Sequence, residues 1–347
     1  MKLIYALFFV VFIIISCKKN ETIKNNEAFP LESFKMDKSK IRAIHAVNKD
    51  TLYYADSEGI IGNTFDGGKT WFKTPIVYKD SIIPHFRNIA VNNDTIFALS
   101  VENPALLFKV YKNSVKLVYK EIHPKVFYDA MHFLPDGKHV IAVGDPTGLC
   151  PSVIISSDYG NTWTKLSCDQ LPIFDKGEAF FAASNTNIKT LGSSIWIVSG
   201  GKRARVLKSS DAGKTWDIFD TPIIQGKGTQ GIYSVDFYDE SNGIIFGGDY
   251  LNPQDNCANK AITKDGGKTW NLIADNQEPG YKSCVKFVPK SNGQKIVAVG
   301  KTGISYSKNG GKNWVTISKD SFYTIQFINE NSAWLGGDQK LGKINLK

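Results

Sequence analysis

The octapeptide TKDGGKTW (residues 263–270) is one of five copies of a single pattern, [ST]-x-[DN]-x-G-x-[TN]-W, in this chain. The other copies are TFDGGKTW (64–71), SSDYGNTW (156–163), SSDAGKTW (209–216) and SKNGGKNW (307–314). Successive copies begin 92, 53, 54 and 44 residues apart, and the degenerate stretch YKNSVKLVY (111–119) lies near the middle of the longest interval. A repeat of about 44–54 residues is typical of a solenoid or a propeller.

The octapeptide has the chemistry of a tight hairpin turn followed by a packing anchor. Its Asp or Asn can accept backbone N–H groups across the turn. Its Gly adopts positive φ at low cost. Its Trp begins the next strand and offers a large apolar face. We therefore expect a structural role for Asp66, Trp71, Asp158, Trp163, Asp211, Trp216, Asp265, Trp270, Asn309 and Trp314.

Short apolar strands separated by Gly-containing turns fill the rest of each repeat, and no apolar stripe of helical period is present. Seven segments have the pattern of an innermost strand: residues 41–47, 86–91, 128–133, 180–184, 233–237, 283–287 and 323–327. The last repeat has only three strands, so residues 29–36 (FPLESFKM) are expected to supply the fourth, since an open edge invites aggregation. The prediction is an all-β, seven-bladed propeller of four-stranded antiparallel blades, closed by an N-terminal strand.

The octapeptide resembles the Asp-box, or BNR repeat, of sialidases and related propellers, in which the box is structural. The layout of TxDGGKTW boxes and Gly-ended second strands resembles the photosystem II stability/assembly factor group over residues 40–347. That resemblance implies a non-enzymatic assembly role, although bacterial members carry oxidoreductase or glycosyl hydrolase labels. The residues show no GxGxxG on a strand–helix unit and no flavin or haem motif, so no cofactor is expected.

The N-terminus has the pattern of an export signal. An apolar run of about 13 residues, too short for a membrane span of ~20, follows Lys2 and ends at Ile14-Ile15-Ser16-Cys17. This end resembles a bacterial lipobox, which implies a signal peptide over residues 1–16 and lipidation of Cys17. Residues 17–28 are predicted to be a flexible tether, and residues 29–347 a single propeller. We expect an outer-membrane lipoprotein, on either the periplasmic or the cell-surface side.

Composition narrows the partners further. The 347 residues are 42% hydrophobic and carry a net charge of +9, with many Lys but only four Arg. Proteins that bind nucleic acids favour Arg, so no nucleic acid is expected, whereas acidic partners are favoured.

Cys150 and Cys168 flank a predicted hairpin and form either a disulfide or two buried thiols; a Cys257–Cys284 bridge is possible but weaker. No Cys pair has metal-ligand spacing, so no metal is expected. The protein is expected to be a monomer.

In a four-stranded blade, inner strands start and second strands end on one face, and the resemblance implies that the boxes lie on the other. Polar groups of that first face would gather at the channel mouth. The ligand-binding candidates are Arg42, Arg87, Asp129, Asp145, Glu178, Arg205, Tyr233, Asp249, Tyr281 and Ser283. All four Arg residues can be drawn toward this face or its loops, and Arg binds carboxylates in bidentate geometry.

Three functions fit this arrangement. The first is a lipid-anchored binding or assembly module whose ligand is an acidic glycan or an envelope protein. The second is a sialidase-like or other glycoside-acting enzyme, with Asp129, Glu178 and Tyr281 as catalytic candidates, although the FRIP motif of sialidases is absent. The third is a structural protein whose channel is plugged by a salt-bridge ring of Arg42, Arg87 and Asp129.

Overall fold

Seven antiparallel sheets form a closed ring in the computed structural model, which describes residues 29–112 and 114–347. Neighbouring inner strands contact each other all the way round, and the last blade contacts the first. The predicted seven-bladed all-β propeller is confirmed. The predicted signal peptide, lipidated Cys17 and tether lie outside the described residues. Within the described ranges no helix has the length and apolar character needed to cross a membrane.

The strands follow the chain order of the repeats. The first, β1 (Leu31–Lys40), precedes blade 1. Blade 1 contains β2 (Ala43–Ala46), β3 (Leu52–Ala55), β4 (Ile60–Thr64) and β5 (Phe72–Pro75). Blade 2 contains β6 (Phe86–Asn92), β7 (Thr95–Ser100), β8 (Ala105–Tyr111) and β9 (Ser114–Glu121). Blade 3 contains β10 (Tyr128–Phe133), β11 (Val140–Gly144), β12 (Ser152–Ser156) and β13 (Thr164–Lys165).

The second half of the chain has two additional short strands. After a 3-10 turn (Cys168–Gln170) comes β14 (Glu178–Ala179). Blade 4 contains β15 (Ile188–Leu191), β16 (Ser194–Val198), β18 (Arg205–Ser209) and β19 (Asp217–Asp220), with β17 (Gly200–Gly201) between its second and third strands. Blade 5 contains β20 (Gln230–Phe237), β21 (Gly243–Asp249), β22 (Lys260–Thr263) and β23 (Asn271–Leu272). Blade 6 contains β24 (Cys284–Phe287), β25 (Ile296–Gly300), β26 (Gly303–Ser307) and β27 (Val315–Ser318). Blade 7 contains β28 (Thr324–Phe327), β29 (Ser332–Gly336) and β30 (Asp338–Asn345).

The N-terminal strand closes the ring. Strand β1 pairs antiparallel with β30, with Leu31 opposite Ile344 and Phe34 opposite Leu341, and so becomes the outer strand of blade 7. This confirms the predicted closure. The ring therefore has no unpaired gap between its first and last blades, and the two ends of the described chain are held in one sheet.

Blade 4 departs from the prediction. Residues 180–184 were expected to be its inner strand, but that prediction is wrong: the inner strand is β15, and residues 180–187 run through the central channel instead. The pairs of β14 with β17 and of Gly200 with Gly231 add two short strands to the sheet of blade 5. Residues 182–186 hydrogen-bond to other blades, and in this stretch only Asn187 pairs with β16, through its carbonyl and the Val198 N–H at 3.0 Å.

Each octapeptide turn joins the third strand of its blade to the fourth, and its Asp or Asn side chain accepts backbone N–H groups across the turn. In blade 5, Asp265 Oδ1 accepts the backbone N–H groups of Lys268 and Thr269 at 3.1 and 3.0 Å. The Trp270 indole donates to the Gly267 carbonyl at 3.0 Å, and its ring packs edge-on against Phe237. These contacts fix the turn and anchor the outer strand to the blade core.

The cysteines form one bridge. Cys150 and Cys168 are joined by a disulfide with their Cα atoms 5.5 Å apart, at the edge of the apolar core between blades 3 and 4. Cys257 is exposed and Cys284 is buried, and both are free thiols. The weaker alternative, a Cys257–Cys284 bridge, is therefore not formed.

Candidate functional site

Residues 180–187, here called the plug segment, fill the middle of the central channel. Arg42 Nη1 of blade 1 donates to the Ala183 carbonyl at 3.0 Å, and Arg87 Nη1 of blade 2 donates to the Ala182 carbonyl at 3.4 Å. From blade 7, the neighbour of blade 1, the Thr324 hydroxyl donates to the Ser184 carbonyl at 3.0 Å. The plug segment is therefore held by side chains from several blades.

Polar side chains of the plug segment complete these contacts. Asn185 Nδ2 donates to the Ile89 carbonyl of blade 2, and Asn185 Oδ1 accepts the Met131 N–H of blade 3, both at 2.9 Å. Thr186 Oγ1 lies 2.7 Å from the Ser234 hydroxyl of blade 5. The plug segment of blade 4 thus contacts inner strands all round the ring. It divides the channel into an upper cavity, here called the funnel, and a lower cavity.

The funnel is a cavity of about 570 Å³ at the face where inner strands start. Half of its lining residues are aromatic: Phe181 stacks on Tyr233 with ring centres 4.0 Å apart, and Tyr281 meets Tyr233 edge-on. The predicted residues that line it are Arg42, Arg87, Tyr233, Tyr281 and Ser283. The lining also includes Phe127, Phe180, Phe181, Ala182, Ala183, Tyr250, Lys301, Ser321, Phe322, Tyr323 and Asp338.

Two arginines supply the positive charge of the funnel. The Arg42 guanidinium lies 3.7 Å from the centre of the Tyr323 ring, and Arg87 lies 5.7 Å from that of Phe127. Burial and the charge of Arg42 lower the pKa of Arg87 to about 10, so Arg87 remains charged at neutral pH. Among the described residues neither guanidinium has a carboxylate within 4.0 Å, whereas Arg203 and Arg205 both do.

Glu178 and Arg205 do not line the funnel. Arg205 makes a bidentate contact with Glu178, whose carboxylate also accepts the Ser199 hydroxyl at 2.6 Å. Both residues are buried beside Phe174. Arg203 pairs on the surface with Asp175 and Asp220. Arg203 and Arg205 lie between the second and third strands of blade 4 and at the start of the third, but neither lines the funnel, because both are bound to local carboxylates.

Asp129 and Asp145 lie behind the funnel wall. Asp129 is fully buried, and burial together with the nearby Asp145 raises its pKa well above the ordinary range. Burial raises the pKa of Asp145 to about 6, and its Oδ1 accepts the Phe180 N–H at 2.7 Å. The predicted salt-bridge ring of Arg42, Arg87 and Asp129 is not formed, since Asp129 has no guanidinium within 4.0 Å. The channel is blocked by backbone instead.

Asp249 has a local role. It is buried at the end of β21, and its Oδ1 accepts the Leu251 N–H at 3.0 Å. It shapes the turn that places Tyr250 at the funnel.

Two aromatic residues of the funnel, Phe127 and Phe322, were not predicted from the sequence. Their position just before inner strands was a signal that could have identified them. In the part of the chain that the structure describes, no group of three or more His, Cys, Asp or Glu side chains could hold a metal ion.

Similar proteins agree with this architecture. A structure titled YCF48 bound to D1 peptide has a TM-score of 0.64 and 14% identity, covering 92% of this chain and 97% of that one. YCF48 from Cyanidioschyzon merolae has a TM-score of 0.62 and 16% identity, covering 92% and 99%. The GH74 xyloglucanase from Xanthomonas campestris has a TM-score of 0.65 and 14% identity, covering 92% of this chain but 54% of that one. At these identities the likeness concerns the fold alone.

The sequence itself matches one family. No curated protein matches the chain. The family model Sortilin-Vps10, described as Sortilin, neurotensin receptor 3, matches residues 151–337, which is more than half of the chain. The matched residues run from blade 3 through blade 7 and include four of the seven inner strands. The chain therefore belongs to the Sortilin-Vps10 family.

Proposed function

We propose that the protein is a lipid-anchored binding or assembly module of the bacterial envelope that captures an acidic peptide segment of a partner in its funnel. The observation that carries the proposal is the state of Arg42 and Arg87. Both lie in an aromatic cavity, and no described carboxylate pairs with either. A desolvated guanidinium is a strong bidentate partner for a carboxylate, so a ligand carboxylate would complete the site.

The shape of the funnel favours a peptide. Its volume of about 570 Å³ suits a few side chains, and the Phe181–Tyr233 stack offers apolar surface beside the charges. A propeller of the same fold has been solved with a bound D1 peptide. A glycoside-acting mechanism has less support, because it needs two carboxyl groups facing one substrate. Asp129 is buried and Glu178 is paired with Arg205, so neither candidate acid reaches the cavity.

The anchor would present the funnel to the partner. Strand β1 starts opposite Ile344 and ends opposite Asp338, so Phe29 leaves the ring at the face opposite the funnel. Cys17 lies twelve residues earlier, and an extended chain of that length spans at most about 43 Å. A lipid on Cys17 would hold the opposite face toward the membrane and leave the funnel mouth open to the surrounding compartment.

The proposal is tested by titrating the purified protein with acidic peptides and their amidated, Asn/Gln-substituted counterparts. Acidic oligosaccharides form a second panel. We expect an acidic peptide to bind and its neutral counterpart to bind at least about tenfold more weakly, with affinity falling as salt rises. Arg42→Gln and Arg87→Gln should each weaken binding about tenfold or more.

The matched control is Arg203→Gln, which removes the same charge from a surface site outside the funnel. It should leave peptide affinity unchanged. Equal binding of acidic and neutral peptides, or unchanged binding by Arg87→Gln, would contradict the proposal. Preference for the acidic oligosaccharides would replace the peptide with a glycan as the ligand of the funnel.

A further inference from the structure

The lower cavity lies at the other end of the channel, beneath the plug segment. It has a volume of about 240 Å³, and residues of six inner strands or their ends line it. Its roof is the plug segment, through Ser184 and Thr186. At ~30 Å³ per water molecule this space holds several waters or one small polyatomic ion. The funnel and the lower cavity are separate, because the plug segment lies between them.

The charged groups of the lower cavity do not balance. Lys189 Nζ lies 2.7 Å from Asp236 Oδ1, and Lys286 Nζ lies 3.7 Å from the same oxygen. The second oxygen of Asp236 accepts the Phe287 N–H at 2.9 Å. One carboxylate therefore faces two ammonium groups. Within the described ranges Lys286 Nζ donates no hydrogen bond, although its side chain is only 16% exposed.

A neutral donor lies in the same wall. Gln326 Oε1 accepts the Ala46 N–H at 2.7 Å, which fixes the orientation of the amide. The Nε2 group of Gln326 must then be the free end, and it makes no hydrogen bond among residues 29–112 and 114–347. The cavity thus combines one uncompensated cation with an amide donor that has no acceptor. Lys286 and Gln326 are both partly buried, so the two donor groups remain accessible to a solute that enters the cavity.

The histidines nearby do not supply charge at neutral pH. Burial lowers the pKa of His45 to about 4, and burial with the charge of Lys286 lowers that of His132 to about 4. His132 Nε2 lies 2.7 Å from the Asn185 carbonyl and so carries the ring proton. The excess of donors over acceptors therefore comes from Lys286, Lys189 and Gln326.

We propose that the lower cavity binds a small oxyanion, with phosphate as the fitting chemical class. Lys286 and Lys189 would supply the charge, and Gln326 a directed hydrogen bond. The phosphate could be inorganic or part of a lipid headgroup, because the cavity opens on the face where β1 begins. This site is independent of the funnel and does not rest on the proposed peptide binding.

The test is calorimetric titration of the purified protein with sodium phosphate against sodium chloride at matched ionic strength. Glycerol 3-phosphate is the headgroup mimic. We expect saturable binding of phosphate, and tighter binding of glycerol 3-phosphate would identify the headgroup as the source. Lys286→Gln should weaken binding about tenfold, because it removes a charge-assisted hydrogen bond. Asp236→Asn should tighten it, since the only carboxylate of the lining is lost.

Two controls separate this site from other lysines and from the funnel. Lys290→Gln removes an exposed lysine that pairs with Glu330, and it should bind phosphate as the wild type does. Arg87→Gln should also retain phosphate binding while losing the acidic peptide, and Lys286→Gln should show the reverse. Absence of saturable binding, or equal affinity in Lys286→Gln and the wild type, would overturn the proposal. If Lys286→Gln folds poorly, Asp236→Asn still tests the proposal, because it should bind phosphate more tightly than the wild type.

Discussion

Arg42 Nη1 donates to the main-chain oxygen of Ala183 across 3.0 Å, although 141 residues separate the two in sequence. The same guanidinium covers the Tyr323 ring of blade 7. One side chain therefore joins blade 1, the plug segment of blade 4 and the last blade. Since blades 1 and 7 meet where the ring closes, the plug segment is part of that closure. The funnel floor and the ring should consequently unfold together.

The plug segment should contribute strongly to stability through Asn185. Its side chain bonds to Ile89 and Met131, and its own backbone has φ 57°, which Asn tolerates better than most residues. Asn185→Ala leaves two buried backbone groups unpaired, at about 1–3 kcal/mol each. We expect a loss of about 2–6 kcal/mol in urea unfolding. The exposed control Asn271→Ala should change stability by no more than about 0.5 kcal/mol. Equal stability of the two variants would mean that the plug segment is not held by Asn185.

The buried pair of Glu178 and Arg205 should be structural rather than functional. Glu178→Gln leaves the Arg205 charge without its carboxylate, which costs about 3–5 kcal/mol for a buried pair. The double variant Glu178→Gln/Arg205→Met should recover part of that loss, because no unpaired charge remains. On the surface, Arg203→Gln should cost about 1 kcal/mol or less. If Glu178→Gln melts like the wild type but loses ligand binding, Glu178 has a role in binding and the structural assignment is wrong.

Asp145 should make the protein less stable as pH rises from about 4 to about 6. Burial raises the folded-state pKa of Asp145 to about 6, so its stabilising proton is fully bound below pH ~4 and is lost as pH rises through 6. Asp145→Asn keeps an acceptor for the Phe180 N–H but carries no charge. At pH 7 it should exceed the wild type in stability by on the order of 1–3 kcal/mol, and the difference should vanish near pH 4.

The quantity to measure is the difference in unfolding free energy between Asp145→Asn and the wild type at each pH. His45 and His132 have lowered pKa values, so the stability that they contribute is lost as pH falls from about 6.5 to 4, in the opposite direction. Their contribution is the same in both proteins and cancels. The exposed control Asp94→Asn should leave stability at pH 7 within about 0.5 kcal/mol of the wild type. A constant difference between Asp145→Asn and the wild type from pH 4 to 7 would contradict the assignment.

The repeat pattern could predict the fold because each unit contains its own local information. The octapeptide sets one turn, the Gly-ended second strand sets another, and the count of inner strands fixes seven blades. Closure by residues 29–36 followed from the missing fourth strand of the last unit. The prediction of the inner strand of blade 4 was wrong, because residues 180–184 have the composition of a strand but do not form one. The signal against them was length, since eleven residues lie between that segment and the second strand at Trp196, more than in the other blades.

The site was harder to predict because it depends on contacts between distant residues. Arg42, Arg87, Tyr233, Tyr281 and Ser283 were found because position at a strand start places a side chain on one face. Composition could not show that Arg205 is taken by Glu178, 27 residues away, or that Asp129 is buried behind the wall. The plug segment itself has no local pattern, because its partners come from several different blades.

The octapeptide turns should tolerate Asn in place of Asp but not Ala. Asp265 Oδ1 accepts two backbone N–H groups, and its other oxygen accepts the Thr269 hydroxyl at 2.6 Å. Asn309 fills the same position in blade 6, where its Oδ1 accepts the Asn313 N–H at 2.9 Å. We therefore expect Asp265→Asn to lower the free energy of unfolding by a few tenths of a kcal/mol. Asp265→Ala should lower it by about 1 kcal/mol, because the hydrogen bonds that it removes are exposed to solvent.

The pH dependence distinguishes these variants. Hydrogen bonds from Thr269 hold the pKa of Asp265 well below its usual range, so the stability that the carboxylate adds is present above pH ~4 and is lost as pH falls further. The advantage of the wild type over Asp265→Ala should accordingly shrink in thermal melts between pH 4 and pH 2, where Asp265→Asn changes less. A gap that stays constant down to pH 2 would show that the turn is held by the Gly266–Gly267 backbone and Trp270, and that the carboxylate is dispensable.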